Sequence, residues 1–197
     1  MSTTMDSFAT ADLDATAAAV QAALDERGVG FGTGSERTRF LVDPVPRVIE
    51  ADEWDLLRRG LAQRGRALAA FVADAYGERA ICAAGVVPER VIESAEHLEP
   101  DLLDCPPTRF GWVAGLDLVA DGEGVMRVLE DNMRTPSGIA YALAARDAVD
   151  EFAPIDAPPE RLDPRRTLPL LADALRSSAP DDVGRPAVAL LSDGPSN

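Results

Sequence analysis

The stretch 115–138, GLDLVADGEGVMRVLEDNMRTPSG, decides how this chain reads. Phe110 to Ala120 carries alternating apolar residues, Asp121-Gly122-Glu123-Gly124 is a turn sequence, and Val125 to Glu130 returns, so the pattern predicts a β-hairpin. Pro136-Ser137-Gly138 then opens a helix over about 139–152. A two-residue loop would pair Asp117 with Glu130, and a four-residue loop would move Glu130 opposite Gly115. Both loops are even, so both leave Asp117 and Glu130 on one face. Asn132 joins that face if the strand continues. Directly opposed Cβ atoms lie about 4.5–5.5 Å apart, where two carboxylates repel. A hard divalent cation removes that repulsion, and carboxylate plus amide oxygens suit Mg²⁺. The N–H groups at the helix start near Gly138 favour an anion, and Arg134 adds a fixed positive fork. Spacing alone still favours the plainer alternative, a solvated acidic hairpin in an acidic chain.

Outward from the hairpin, residues 10–27 (TADLDATAAAVQAALDER) read as a helix of good helix formers. Gly28, Gly30, Gly32 and Gly34 follow as a loose connector. They match a nucleotide-loop pattern only with slipped spacing and no preceding strand. Arg39 to Val42 suggests a short strand before Asp43-Pro44-Val45-Pro46-Arg47, where paired prolines favour an extended path. Residues 52–76 give the clearest helix, with Asp52 as N-cap and an apolar face of Trp54, Leu57, Leu61, Leu68 and Phe71. Gly60 and Gly65 suggest close packing. Shorter helical pieces are expected at 79–84 and 88–94 around a turn at Gly85. A proline-rich loop at 154–164 precedes a helix at 167–177 and a buried strand at 187–191.

The 197 residues are 46% hydrophobic and 27% charged, as in a soluble globular protein. Nineteen basic against 34 acidic residues leave a net charge of −15, which argues against nucleic acid and anionic membranes as partners. All 19 basic residues are Arg, so this sequence offers no Lys for a Schiff base or for gripping phosphate. His97 is the single histidine, which excludes a His-ligated metal cluster and reads as a surface residue. Cys82 and Cys105 form no CxxC and read as reduced core thiols, with the cytoplasm as the expected compartment. Met1 to Asp14 is polar and acidic with no basic n-region, so it is not expected to act as a secretory signal, and no run of eighteen apolar residues occurs. Trp54 and Trp112 read as core, and Asp101 and Asp104 as a solvated acidic loop.

The string Glu130-x-Asn132-x-x-Thr135-Pro136-Ser137 is similar to the glutathionylspermidine synthetase group. The runs DPVPRVIEADEW (43–54), RGLAQRGRALAAFVADAYGERAICAAGVVP (59–88) and VLEDNMRTPSGIAYALAAR (128–146) resemble the circularly permuted ATP-grasp family from about Phe31 onward. The resemblance implies an ATP-dependent ligase that joins a small-molecule or peptide carboxylate to an amine through an acyl phosphate. It implies that Asp117, Glu130 and Asn132 hold Mg²⁺ against ATP, and that Arg134 steadies phosphate. Backbone N–H groups at Ser137 and Gly138 would contact a carboxylate or phosphate, and Arg47 is a further candidate. Two departures stand out. Several ATP-grasp enzymes carry Arg two residues before the first acidic ligand, where this chain has Gly115, so Arg134 or Arg109 would have to serve instead. The nucleotide-gripping lysines and the lid strands belong to later parts of such chains, so the expectation is the metal half of a site in a truncated chain that does not turn over alone. The remainder of the enzyme would then be a possible partner.

The expected fold is α/β of the α+β type. Residues 1–30 form an N-terminal helix and linker, 31–153 the metal-binding part of the permuted ATP-grasp domain, and 154–197 a linker, helix and first strand of a following α/β domain. The rival expectation is a non-catalytic binding or scaffold protein that retains the fold.

Overall fold

The computed structural model describes residues 12–32, 36–103, 113–133, 136–154, 157–158, 160–180 and 182–191. It shows the mixed helix-and-strand α/β class expected, in two compact units that are each discontinuous in sequence. One holds the described residues up to Val48, Ser137–Ala172 and those from Ala187. The other holds Ile49–Pro136 and Asp173–Pro186.

The first unit is built on helix α1 (Leu13–Glu26). Asp12 caps it by accepting the Ala15 N–H at 3.0 Å. Its apolar stripe, Val20, Ala23 and Leu24, packs against Ala148 and Val149 of α5 (Ile139–Phe152), and Val29, Phe40, Val42, Ala144 and Ala153 close the edges. The glycine-rich connector is more ordered than its sequence suggests. Gly30–Phe31 (β1) pairs antiparallel with Thr38–Arg39 (β2), while left-handed Gly28 (φ +69°) and Gly32 (φ +79°) bend the chain beside β1. Only Arg39 of the expected strand 39–42 is paired; Phe40 and Val42 instead turn into the helical core. Phe31, Phe40 and Tyr141 cluster with ring centroids 5.1–5.3 Å apart, and the Tyr141 hydroxyl donates to the Gly30 carbonyl.

The second unit begins with α2 (Ala51–Tyr76), one residue before the predicted start. Glu50, not Asp52, occupies the N-cap, and Asp52 sits in the first turn where its charge favours the helix dipole. Trp54 is exposed and not a core residue, whereas Leu57, Leu61, Leu68 and Phe71 are half-buried. Gly60 and Gly65 mark no close approach, since a Cβ at either would meet open space. Asp74 accepts the N–H groups of Ala80 and Ile81 and so starts α3 (Ala80–Ala83), ahead of α4 (Glu89–Glu93). The hairpin follows as β3 (Gly115–Ala120) and β4 (Met126–Asn132), whose return strand runs two residues past the expected end.

Helix α5 matches its predicted bounds, and α6 (Thr167–Ser177) does the same. Residues 187–191 are neither strand nor buried: they pair with no neighbour among the described residues, and Leu190 and Leu191 are 91% and 99% exposed. An extended segment needs a partner strand to satisfy its backbone groups, and apolar composition cannot supply one. Among the described residues, no helix is long and apolar enough to cross a membrane.

Candidate metal centre

The hairpin places its acids by two shifts that cancel. Five residues, 121–125, separate the strands, so Ala120 faces Met126 and Leu118 faces Val128. The expected even loop is absent because Asp121 organises an odd one. Its carboxylate accepts the N–H groups of Glu123 and Val125, the Asp121 carbonyl accepts the Gly124 N–H, and Gly124 adopts φ +82°. Carried on unchanged, that register would set Asp117 opposite Leu129. A bulge intervenes, with Leu129 as the extra residue, and Asp117 lies opposite Glu130. The pairing continues through Leu116 with Asp131 to Gly115 with Asn132. Asp117, Glu130 and Asn132 therefore share one face.

Asp117 and Glu130 are exposed and Asn132 is half-buried. Among the described residues no cation pairs with either carboxylate. No three acidic, histidine or cysteine side chains gather among the described residues, so an all-protein cage of that kind is absent. Two opposed carboxylates and an amide, open to solvent, are the donor set that Mg²⁺ takes when water and phosphate oxygens complete its shell. The residues fit the ion.

Asp131 projects to the opposite face. Arg64 of α2 grips it in a bidentate ion pair, with Nε and a terminal nitrogen each 2.6 Å from a carboxylate oxygen. The guanidinium holds the Asp131 carboxyl below the usual carboxylate range. Asp121 is lowered in the same direction, first by Arg127 and then by the backbone N–H of Val125. Neither ion pair was anticipated from the sequence. Strand alternation turns Asp131 away from Glu130 and Asn132, but nothing in the local pattern says which cation meets it; at 20% side-chain exposure it takes Arg64.

Gly115 owes its identity to packing. A Cβ there would lie 2.9 Å from Cβ of Pro136 and 3.6 Å from Cβ of Asn132, so any larger residue needs a shift of its neighbours. This is the position, two residues before Asp117, at which the resemblance implies Arg.

Ser137 and Gly138 belong to the first unit, where Gly138 (φ +107°) is the N-cap of α5 and no side chain caps the helix. The first-turn N–H groups thus meet no side-chain acceptor at the cap. Arg47 is exposed on the extended segment before α2. Arg134, Thr135, Arg109, Trp112, Asp104 and Cys105 lie outside the described residues. His97 and Asp101 are exposed, and Cys82 is a half-buried free thiol. A separate cleft of about 160 Å³ in the first unit is lined by Arg146, Asp150, Arg161, Asp163 and Arg165. Within it Arg161 pairs with Asp150 and Arg165 with Asp163, and Arg165 also pairs with Asp147 beside the cleft.

A family model described as circularly permuted ATP-grasp type 2 matches residues 46–197. A Frankia alni protein named "Putative glutamate--cysteine ligase 2-3" is 44% identical over 94% of this chain and 22% of its own length. An uncharacterized Mycobacterium leprae protein is 37% identical over 94% of the chain and 34% of its own length. A Synechocystis protein, likewise uncharacterized, is 38% identical over 90% and 38%. The chain thus spans between about a fifth and two fifths of the length of these relatives. No solved structure matches it.

Proposed function

This chain belongs to the circularly permuted ATP-grasp type 2 family, a family of ATP-dependent ligases, and from that premise we propose that it contributes the divalent-cation side of a carboxylate–amine ligase site. In the proposed reaction a carboxylate oxygen takes the γ-phosphoryl group of ATP, giving an acyl phosphate and ADP. The amine nitrogen then attacks the acyl carbon, phosphate leaves, and an amide remains. The observation that carries this reading is the pair Asp117–Glu130, directly opposed and followed on the same face by Asn132.

Asp117, Glu130 and Asn132 would hold Mg²⁺, which supplies the positive charge needed to neutralise phosphate oxygens during transfer. Arg134 steadies the phosphoryl group in this reading. The family resemblance alone adds backbone N–H groups at Ser137 and Gly138 as contacts for a phosphate or substrate carboxylate. Arg47 is a second anion contact. The name of the Frankia relative points to glutamate as the carboxylate and cysteine as the amine. With a charge of −15, the partners are small molecules rather than nucleic acid or membrane, and the compartment is the cytoplasm. Segment 31–153 carries the metal-binding part, between the N-terminal 1–30 and a following α/β portion from 154.

The test is ADP release with Mg²⁺, glutamate and cysteine by the protein as the cell makes it. Asp117→Asn and Glu130→Gln should each reduce release by roughly a hundredfold. Undiminished release in both variants would overturn the metal assignment. A scaffold would show no substrate-dependent ADP in any form.

A further inference from the structure

The ligand strand β4 carries a ladder irregularity immediately before the residues that the proposed site needs fixed, although Glu130 to Asn132 are themselves paired. Its ladder with β3 is interrupted by the extra residue Leu129, immediately before Glu130. Leu129 is 71% exposed and contributes little packing to hold that point. A bulge increases local twist and leaves one residue unpaired, so the rotation of the following peptides is loosely set by the sheet alone. Glu130 and Asn132 would need that rotation fixed to within a fraction of an ångström for one cation to reach both.

The residue between them supplies the missing constraint. Asp131 points to the opposite face, and both of its oxygens are taken by Arg64 at 2.6 Å. A fork-on-fork pair fixes the carboxylate plane as well as its distance, which a single-point contact does not. Arg64 stands near the middle of α2 (Ala51–Tyr76), so the strand is referenced to a 26-residue helix rather than to a loop. Asp131 is only 20% exposed at its side chain, so the pair is partly sheltered from competing water.

We infer that Arg64 and Asp131 form a positioning pair that holds Glu130 and Asn132 in ligating orientation toward a divalent cation. Neither residue touches the cation; Arg64 acts through Asp131, and Asp131 through the β4 backbone. The inference rests on the assignment of Asp117, Glu130 and Asn132 as ligands.

Mn²⁺, in place of Mg²⁺, provides a spectroscopic readout independent of turnover. Its binding to the full protein can be titrated by electron paramagnetic resonance, with the Asp117→Asn/Glu130→Gln double variant as the background for diffuse binding to an acidic surface. Arg64→Met and Asp131→Asn should each weaken specific Mn²⁺ binding by about ten- to a hundredfold, the range for residues that orient metal ligands. Arg64→Lys, which keeps the charge but loses the fork, should fall between Arg64→Met and the parent. The exchanged pair Arg64→Asp/Asp131→Arg should regain most of the loss, which no general weakening of the fold would produce. Circular dichroism identifies any variant that fails to fold, and the lysine and exchanged forms then carry the comparison. Parent-like Mn²⁺ affinity in Arg64→Met, with the background variant silent, overturns the positioning pair and leaves the ligand assignment standing. Equal Mn²⁺ binding by the parent and the background variant overturns the ligand assignment itself, and the positioning pair with it.

Discussion

Three residues of the hairpin do unlike work with similar chemistry. Asp121 spends its carboxylate on its own loop, Asp131 on Arg64, and Asp117 has no cation beside it among the described residues. An acidic chain disguises this division, because composition alone makes every Asp look like surface charge. Gly115 shows the same point for an uncharged site. Replacing a strand glycine by alanine ordinarily gains about 0.5–1 kcal/mol. Here the added Cβ would stand 2.9 Å from Cβ of Pro136, a rigid ring that cannot rotate away. Gly115→Ala should therefore lower the stability of the protein by about 1–2 kcal/mol net, read from urea unfolding. In a Pro136→Gly background, which removes the colliding atom, Gly115→Ala should cost little or nothing further. A stabilised Gly115→Ala variant would show that Pro136 yields easily, and that an Arg side chain could be accommodated at this position after all.

At the scale of elements, periodicity locates helices well because each helix satisfies its own backbone. The residues 139–152 and 167–177 could be bounded from local pattern alone, and the structure agrees. Strands depend on partners that local pattern does not contain. Residues 187–191 have strand composition and no ladder, while the glycine-rich 28–32 looked structureless and holds half of a ribbon. The hairpin lies between these cases. Its acid pairing is legible in the sequence, but through a different register: an odd loop and a bulge each shift it by one and cancel, where local pattern predicts an even loop. The exchange carries a prediction. Deleting Leu129 removes the extra residue and lets Glu130 follow Val128 directly, so a regular ladder still sets Asp117 opposite Glu130. Cross-strand nuclear Overhauser contacts should connect 117 with 130 in the deletion variant. Contacts from 117 to 131 instead would mean that the bulge, and not the acid face, is what fixes the register.

At the scale of the whole molecule, a charge of −15 and an isoelectric point near 4.4 set two opposing responses to acid. Lowering the pH from neutrality removes net charge and relieves self-repulsion, which favours the folded state. The ion pairs respond the other way. Asp25 is held below its ordinary 3.8, first by the hydrogen bond from Arg39 and then by that from Gln21; Asp150 is held below 3.8 chiefly by Arg161. A carboxyl depressed in the folded state binds fewer protons there than in the unfolded chain. Its contribution is thus complete above the ordinary value and is lost as the pH falls through 3.8 toward the depressed value. The paired arginines are raised further above their already high ordinary value by their aspartate partners, so they impose no loss at neutral pH. Stability should pass through a maximum between the isoelectric point and neutrality and fall steeply below about pH 4. Arg39→Gln and Arg161→Gln separate the two responses. Each should lower the urea midpoint at pH 6, and the gap to the parent should narrow as the pH falls through 3.8 toward the depressed values, where the parent's aspartates take up protons. High salt at pH 6 should narrow the same gap, more for the exposed Arg39–Asp25 pair than for the partly exposed Arg161–Asp150 pair. A gap that neither narrows with falling pH nor shrinks in high salt would show that these arginines act through the packing of their alkyl stems, and that charge pairing is incidental to the fold.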